Sequence, residues 1–417
     1  MGTSRGTRLT VAGGLLAAVA LVAGCGSASQ QPAPPRVVVP GATGQAIVIG
    51  GFGPVSGEGG EQAAAARAYF RFVNDKGGVY GRRIVYRYLN DHGDPALAPS
   101  LAHQLVQQDA VFAMFGVSGA GASLAVAPYL NAARVPDVFP DSSCDCLNSP
   151  GTLPYTFGWQ LSGLREGKIL GSYVARAFAG LRVGVAYSPD PSGRDGAAGF
   201  GHEVPGRQVV ARVALPASGA GFARPAAALK EAHAEVVAVF ASPAVTARLS
   251  TAMAAAGYRP RLVAAVAGGG VLPDGVITDS YLPALGSAPR SGAGTWVALF
   301  RRIAGRYLPG APFGPDIVSG MSAAYAFTEA LAAAGPHPTR ASLISGLAGL
   351  PQGPAVAPVA DTEADHGGVT GGYVGVVRGG TLVPLTGVVT TDETSAGPVT
   401  PDAGGYPAAP ASGLPPR

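Results

Sequence analysis

From residue 46 to about 392 the chain repeats one theme, a short apolar run followed by a turn and then a helical pattern. "AIVIGGF" reads as a buried strand, and "EQAAAARAYFRFVND" as an amphipathic helix with Ala66, Tyr69, Phe70 and Val73 on one face. "GGVYGRRIVYRYLND" is a turn leading into a strand; "PSLAHQLVQQD", "AVFAMFG", "SLAVAPYLNAAR" and "PDVFP" continue as helix, strand, helix and strand. Strands separated by helices at this spacing are joined by crossovers, so they lie parallel and the fold is α/β.

A second series starts after "YTFGWQ" with the helix "REGKILGSYVARAFAG". It runs through strands "RVGVAYS" and "QVVARVAL", helix "RPAAALKEAHA", strand "EVVAVFAS", helix "VTARLSTAMAAAG" and strand "RLVAAVAG". Two series of one pattern predict two similar α/β lobes facing a cleft. The helices "GTWVALFRRIAGRYL", "GMSAAYAFTEALAAAG" and "RASLISGLAGL" have few strands among them and are expected to return over the first sheet.

With 417 residues, 47% of them hydrophobic and 13% charged, two ordinary domains can each bury a core. A net charge of +4 without a Lys/Arg block argues against nucleic-acid binding. At the N-terminus, Arg5 and Arg8 precede "LTVAGGLLAAVALVAG" and then Cys25. That run is short for a spanning helix, which needs about 20 residues, but suits an export signal. Val22-Ala23-Gly24-Cys25 resembles a bacterial lipobox. The resemblance implies a signal peptide over 1–24, lipidation of Cys25, and anchoring at the outer face of the cytoplasmic membrane. Residues 25–45 then read as a Pro/Ser-rich tether, and 393–417, lacking apolar periodicity, as a disordered Pro/Gly-rich tail.

In "VFAMFGVSGAGASLAV" an apolar run stops at Gly116, small residues turn the chain, and a helical segment begins near Ser123. Such a turn presents amide groups to a ligand at a helix N-terminus. It lacks the Lys-Ser/Thr pair of a phosphate loop. "GVSGA" puts Ala120 where a nucleophile elbow has its last glycine, and no acidic residue ends the next strand as a dinucleotide fingerprint requires. The histidines (His92, His103, His202, His233, His337, His366) are scattered, and "HEVPG" lacks the second histidine of a zinc motif. Cys144 and Cys146 cannot close a tetrahedral zinc site by themselves; a local disulfide is the better expectation for an exported chain. The acids in "DHGDP" and "DTEADHGG" read as turn and cap residues. No catalytic constellation, metal or cofactor is expected.

"GFGPVSG", "FVNDKGGVYGRRI", "LNDHGDP", "LVQQDAVFAMFG", "LAVAPYL" and "VPDVFP", in this order, resemble the branched-chain amino-acid (Leu/Ile/Val) branch of the type I periplasmic substrate-binding proteins. The resemblance covers roughly 46–390, and "YTFGWQLSGLREGKILGSY" is similar to a subgroup whose ligands are often not amino acids. It implies two Rossmann-like lobes with parallel sheets joined by a three-crossover hinge, with the ligand cleft between them. The first lobe would comprise 46–161 and 288–351, the second 162–287 and 352–392. It also implies a non-enzymatic monomer that hands a small molecule to ABC permease subunits. The alternative is a lipoprotein signalling to a membrane receptor.

By that resemblance, Gly116–Ser123 seats an anionic or polar ligand group. The family's loop serine falls on Ala120, which leaves Ser118, Gly119 and Ser123 as candidates. Ser143 matches a family threonine, with Asp141 and Ser142 beside it. In the second lobe, Ser192 and Ser242 stand where amino-acid binders have tyrosines, and "AAVAGGG" lacks their acid. An ammonium in a dry cleft needs a partner, so the ligand is expected to carry a carboxylate, amide or hydroxyl, and no obligatory ammonium unless Asp141 serves it.

Overall fold

The computed structural model describes residues 39–216, 221–265 and 272–416. The signal segment and Cys25 lie outside the described residues.

The first series forms β1 (Ala46–Gly53), α1 (Gly57–Asp75), β2 (Arg83–Asn90), α2 (Ala98–His103), β3 (Ala113–Phe115), α3 (Ala120–Ala132), β4 (Asp137–Val138) and β5 (Thr156–Phe157). Among the described residues these strands order as β2-β1-β3-β4-β5, all parallel. The second series forms α4 (Gly163–Ala177), β6 (Val183–Tyr187), α5 (Pro191–Glu203), β7 (Val209–Ala214), α6 (Ala223–Glu231), β8 (Val236–Phe240), α7 (Pro243–Ala255), β9 (Arg261–Ala264) and β10 (Ile277–Ser280). Helices α8 (Gly292–Tyr307), α9 (Pro315–Ala333) and α10 (Arg340–Leu347) follow. α8 and α9 pack on α1 beside the first sheet.

The chain then enters β11 (Val359–Asp361), β12 (His366–Val369), β13 (Gly371–Arg378), β14 (Thr381–Pro384), β15 (Val389–Thr390) and β16 (Thr400–Pro401). Strands β6–β10 are parallel neighbours, and β13 adds to β10 antiparallel, carrying β14 and β15 with it. The β13–β14 pairing follows from its connection, because the two-residue turn Gly379-Gly380 folds the chain straight back on itself.

Two elements show how sequence sets the packing. Ala65, Ala66, Tyr69, Phe70 and Val73 of α1 are buried, and Tyr69 meets Phe300 and Tyr325 edge-on at centroid distances of 6.5 and 6.0 Å. In α4, Gly163, Gly167 and Gly171 form a stripe one turn apart. A Cβ on Gly167 would meet the Gly196 carbonyl at 2.1 Å, so α4 and α5 approach backbone to backbone. That contact carries Arg165, Glu166 and Lys168 of α4 into the interior.

The tail is not disordered over 393–416. Glu393 sits 2.9 Å from the buried Arg165, and Lys168 donates to the Asp392 carboxylate and to the Asp392 and Thr394 carbonyls at 2.7–3.1 Å. β16 then pairs with β15. Beyond it, Trp296 donates its indole N–H to the Pro407 carbonyl at 2.8 Å, and Tyr69 its hydroxyl to the Gly413 carbonyl at 2.9 Å. A proline-rich extended chain has no internal hydrogen bonds, so its carbonyls remain free for buried donors elsewhere. Residues 39–45 are likewise not tether. Val39 and Ala42 bridge, and Gly41 accepts from the Val48 amide at 2.7 Å.

Candidate functional site

A cleft of about 400 Å³ opens between the carboxyl ends of both sets of parallel strands, the place where open α/β sheets bind ligands. One wall comes from the first series: Ser118, Gly119, Ala120, Asp141, Ser142 and Ser143. The opposite wall contains Ser192, Gly193, Phe240 and Ser242. The expected site residues are thus brought together, with the exception of Ser123. Its hydroxyl is fully buried and bonds the Val117 carbonyl at 3.3 Å, so it fastens the loop from behind and faces no ligand.

Gly119 explains the loop. It is the N-cap of α3 at φ 90°, a conformation that side chains disfavour. Having no side chain, it cannot cap the helix, and the first-turn amides have no internal acceptor. α1, whose Gly59 lines the cleft, also begins without a side-chain cap. The opposite helices differ. Asp190 accepts from the Gly193 amide at 2.9 Å at the head of α5, and Ser242 from the Val245 amide at 3.4 Å at the head of α7. Amides and dipole available to an anion therefore concentrate at the first wall.

Asp141 is held beside that seat. Its backbone N–H donates to the Val117 carbonyl at 2.8 Å and its carbonyl accepts from the Gly119 amide at 3.0 Å. Its carboxylate accepts from Gln160 at 2.5 Å and from Ser118 at 3.3 Å. Burial raises its pKa, and the two hydrogen bonds partly oppose that rise. Sequence reasoning missed Gln160 and Glu166, which also line the cleft. Glu166 hydrogen-bonds Asp279 of β10, whose carboxyl is pushed well up by burial and then by the Glu166 charge. The visible signal was a run of charges, Arg165, Glu166 and Lys168, interrupting the glycine stripe of α4. Among the described lining residues Asp141, Glu166 and Asp190 are acidic and none is basic.

Cys144 and Cys146 form a disulfide with Cα atoms 5.1 Å apart, which occupies both thiols that a metal would need. His366 is also structural: it stacks on Phe157 at 4.0 Å and bonds the Thr156 carbonyl at 2.9 Å. Asp91 and Asp94 accept from the amides of Gly93 and Ala96, as turn residues do.

A family model described as periplasmic binding protein matches residues 46–381. Among solved structures, a branched-chain amino acid ABC transporter protein from Thermus thermophilus with bound valine is similar at TM-score 0.73 and 20% identity, over 84% of this chain and 97% of that one. A substrate-binding periplasmic protein from Ralstonia solanacearum gives TM-score 0.69 and 21% identity, over 81% and 99%. A solute-binding protein of an ABC transporter from Rhodopseudomonas palustris, in complex with 3,4-dihydroxybenzoic acid, gives 0.66 and 18%, over 87% and 99%. No curated protein sequence matches the chain.

Proposed function

This chain belongs to the periplasmic binding protein family, and on that premise we propose that it is a membrane-anchored lipoprotein capturing a small molecule for an ABC importer. One observation carries the reading. The cleft is lined from both series of elements, and its uncapped α3 terminus lies beside a fixed acid, Asp141. The amides suit a carboxylate, while Asp141 and Glu166 suit hydrogen-bond donors of the same ligand. A small organic acid that also bears an amide, hydroxyl or amine matches this pattern. Among the described residues, the serines of the cleft wall have no histidine or lysine beside them, and the reading is capture and release of the ligand without a chemical step.

A thermal-shift panel of amino acids, aromatic acids, hydroxy acids and polyols tests the reading. A ligand at 100 times its Kd stabilises by about 2.7 kcal/mol. Carboxylates are expected to shift melting and polyols not; a panel without any carboxylate hit sinks the assignment. With a hit in hand, Ser118→Ala is expected to weaken binding by about 1–2 kcal/mol, since it removes a hydroxyl from the Asp141 side of the seat; titration calorimetry measures it. Cys25→Ser is expected to move the protein from membrane to soluble fractions, and retention would count against lipidation.

A further inference from the structure

After β16 the chain leaves the second sheet and crosses to the first half of the molecule. Its near anchorage is β15, where Thr390 pairs with Thr400 and the Asp402 amide donates to the Val388 carbonyl at 2.9 Å. Its far anchorage is the pair α8 and α1 beside the first sheet. There the Trp296 indole and the Tyr69 hydroxyl donate to the Pro407 and Gly413 carbonyls, and the Ala409 amide donates to Thr295 Oγ1 at 2.8 Å. On the way the segment is tied to two of the chain connections between the sheets. Tyr406 donates its hydroxyl to the Leu282 carbonyl at 2.5 Å, on the path from β10 to α8. Gln352, on the path from α10 to β13, donates to the Gly405 carbonyl at 3.1 Å. The stretch between the anchorages, Ala403-Gly404-Gly405-Tyr406, borders a groove of about 630 Å³ that β14 lines as well. It can flex at its glycines, but it extends to at most about 3.3–3.6 Å per residue. A rotation of one half against the other beyond that reach must break the contacts of Tyr406 and Pro407.

We infer that residues 402–413 are a non-covalent strap across the hinge. It restricts how far the two halves turn about the cleft and favours the arrangement in which its contacts are made. The inference rests on the reading of the cleft as a capture site, with its two walls closing on the ligand. A ligand shifts such an equilibrium only by its differential affinity for the two states. A strap that already favours one of them therefore enters directly into the affinity of the cleft.

The test reads the distance between the walls without any ligand. In the Cys25→Ser chain, spin labels are attached at Ala125→Cys on α3 and Ala244→Cys on α7, exposed positions on helices whose first residues line the cleft. Double electron–electron resonance then gives the distance distribution. Two further changes release the strap. One ends the chain after Asp402, which keeps Glu393, Thr394 and β16. The other is Gly292→Ala, whose Cβ would meet the Tyr406 carbonyl oxygen at 1.8 Å, whereas alanine suits the first turn of α8. Tyr258→Phe, which loses a hydroxyl bond to the Ala234 carbonyl far along the chain from the strap, controls for lost stability alone. The expected result is one narrow distribution in the parent and in Tyr258→Phe, and a distribution broadened or displaced by several ångströms in both released variants. Distributions that superimpose in all four proteins refute the strap and leave capture standing. A broadening that Tyr258→Phe shares refutes it too, since general loosening then explains the change. Adding the carboxylates of the melting panel separates the two readings. If release widens the distribution but no carboxylate moves it in any protein, the strap stands and capture by closure fails.

Discussion

Ending the chain after Asp392 is expected to lower the melting temperature by about 10 °C or more, although the deleted segment is rich in Pro, Gly and Ala and poor in regular structure. The deletion removes Glu393, leaving Arg165 (1% exposed) with Asp365 at 2.7 Å as its remaining ion pair. Arg165 keeps Asp365, so losing Glu393 costs it one charge-assisted hydrogen bond, about 1.5–3 kcal/mol. Lys168 loses the Thr394 carbonyl, the shortest of its contacts at 2.7 Å. The Trp296 indole and Tyr69 hydroxyl lose their acceptors, each costing about 1–3 kcal/mol. At about 2 °C per kcal/mol for a chain of this size, these losses add up to the stated shift. A truncated protein melting within about 3 °C of the full chain would show that these contacts carry no stability.

The same segment shows where sequence stopped being legible. Periodicity reports elements that bury one of their own faces, and α1 and the parallel strands of both sheets were readable for that reason. Residues 393–416 bury little of themselves. They act as acceptors for donors on α1, α4 and α8, a role without any periodic signature. At the cleft, the Gly116–Ser123 turn was legible because glycines mark the backbone conformation that opens a helix end. The role of Ser123 was not, since a serine in a helix's first turn can face either way, and this one is fully buried. Glu166 falls inside the helical stretch "REGKILGSYVARAFAG", where nothing in the pattern sets it apart. Only the close α4–α5 contact, set by Gly167 against Gly196, reveals that it lines the cleft.

The second large effect is a pH dependence centred on Asp137 of β4. Its side chain is fully buried, both carboxylate oxygens lack a partner among the described residues, and burial pushes its pKa from 3.8 to about 7. The folded state therefore keeps the proton in a range where the unfolded chain has released it. Below about pH 4 both states are protonated and the fold has its full stability. As pH rises through 7 stability is lost, and a shift of about three units corresponds to roughly 4 kcal/mol. Asp137→Asn is neutral at every pH and nearly the same shape. It is expected to melt about 8 °C above the wild type at pH 8 and level with it at pH 4. Some slope will remain in the variant, because Glu329, raised to about 7 by burial, titrates in the same sense. Denaturation series at both pH values decide the matter. A difference between the two proteins that stays constant with pH would mean that Asp137 is already ionised in the folded chain, and its desolvation would then have to be relieved by some group other than the proton.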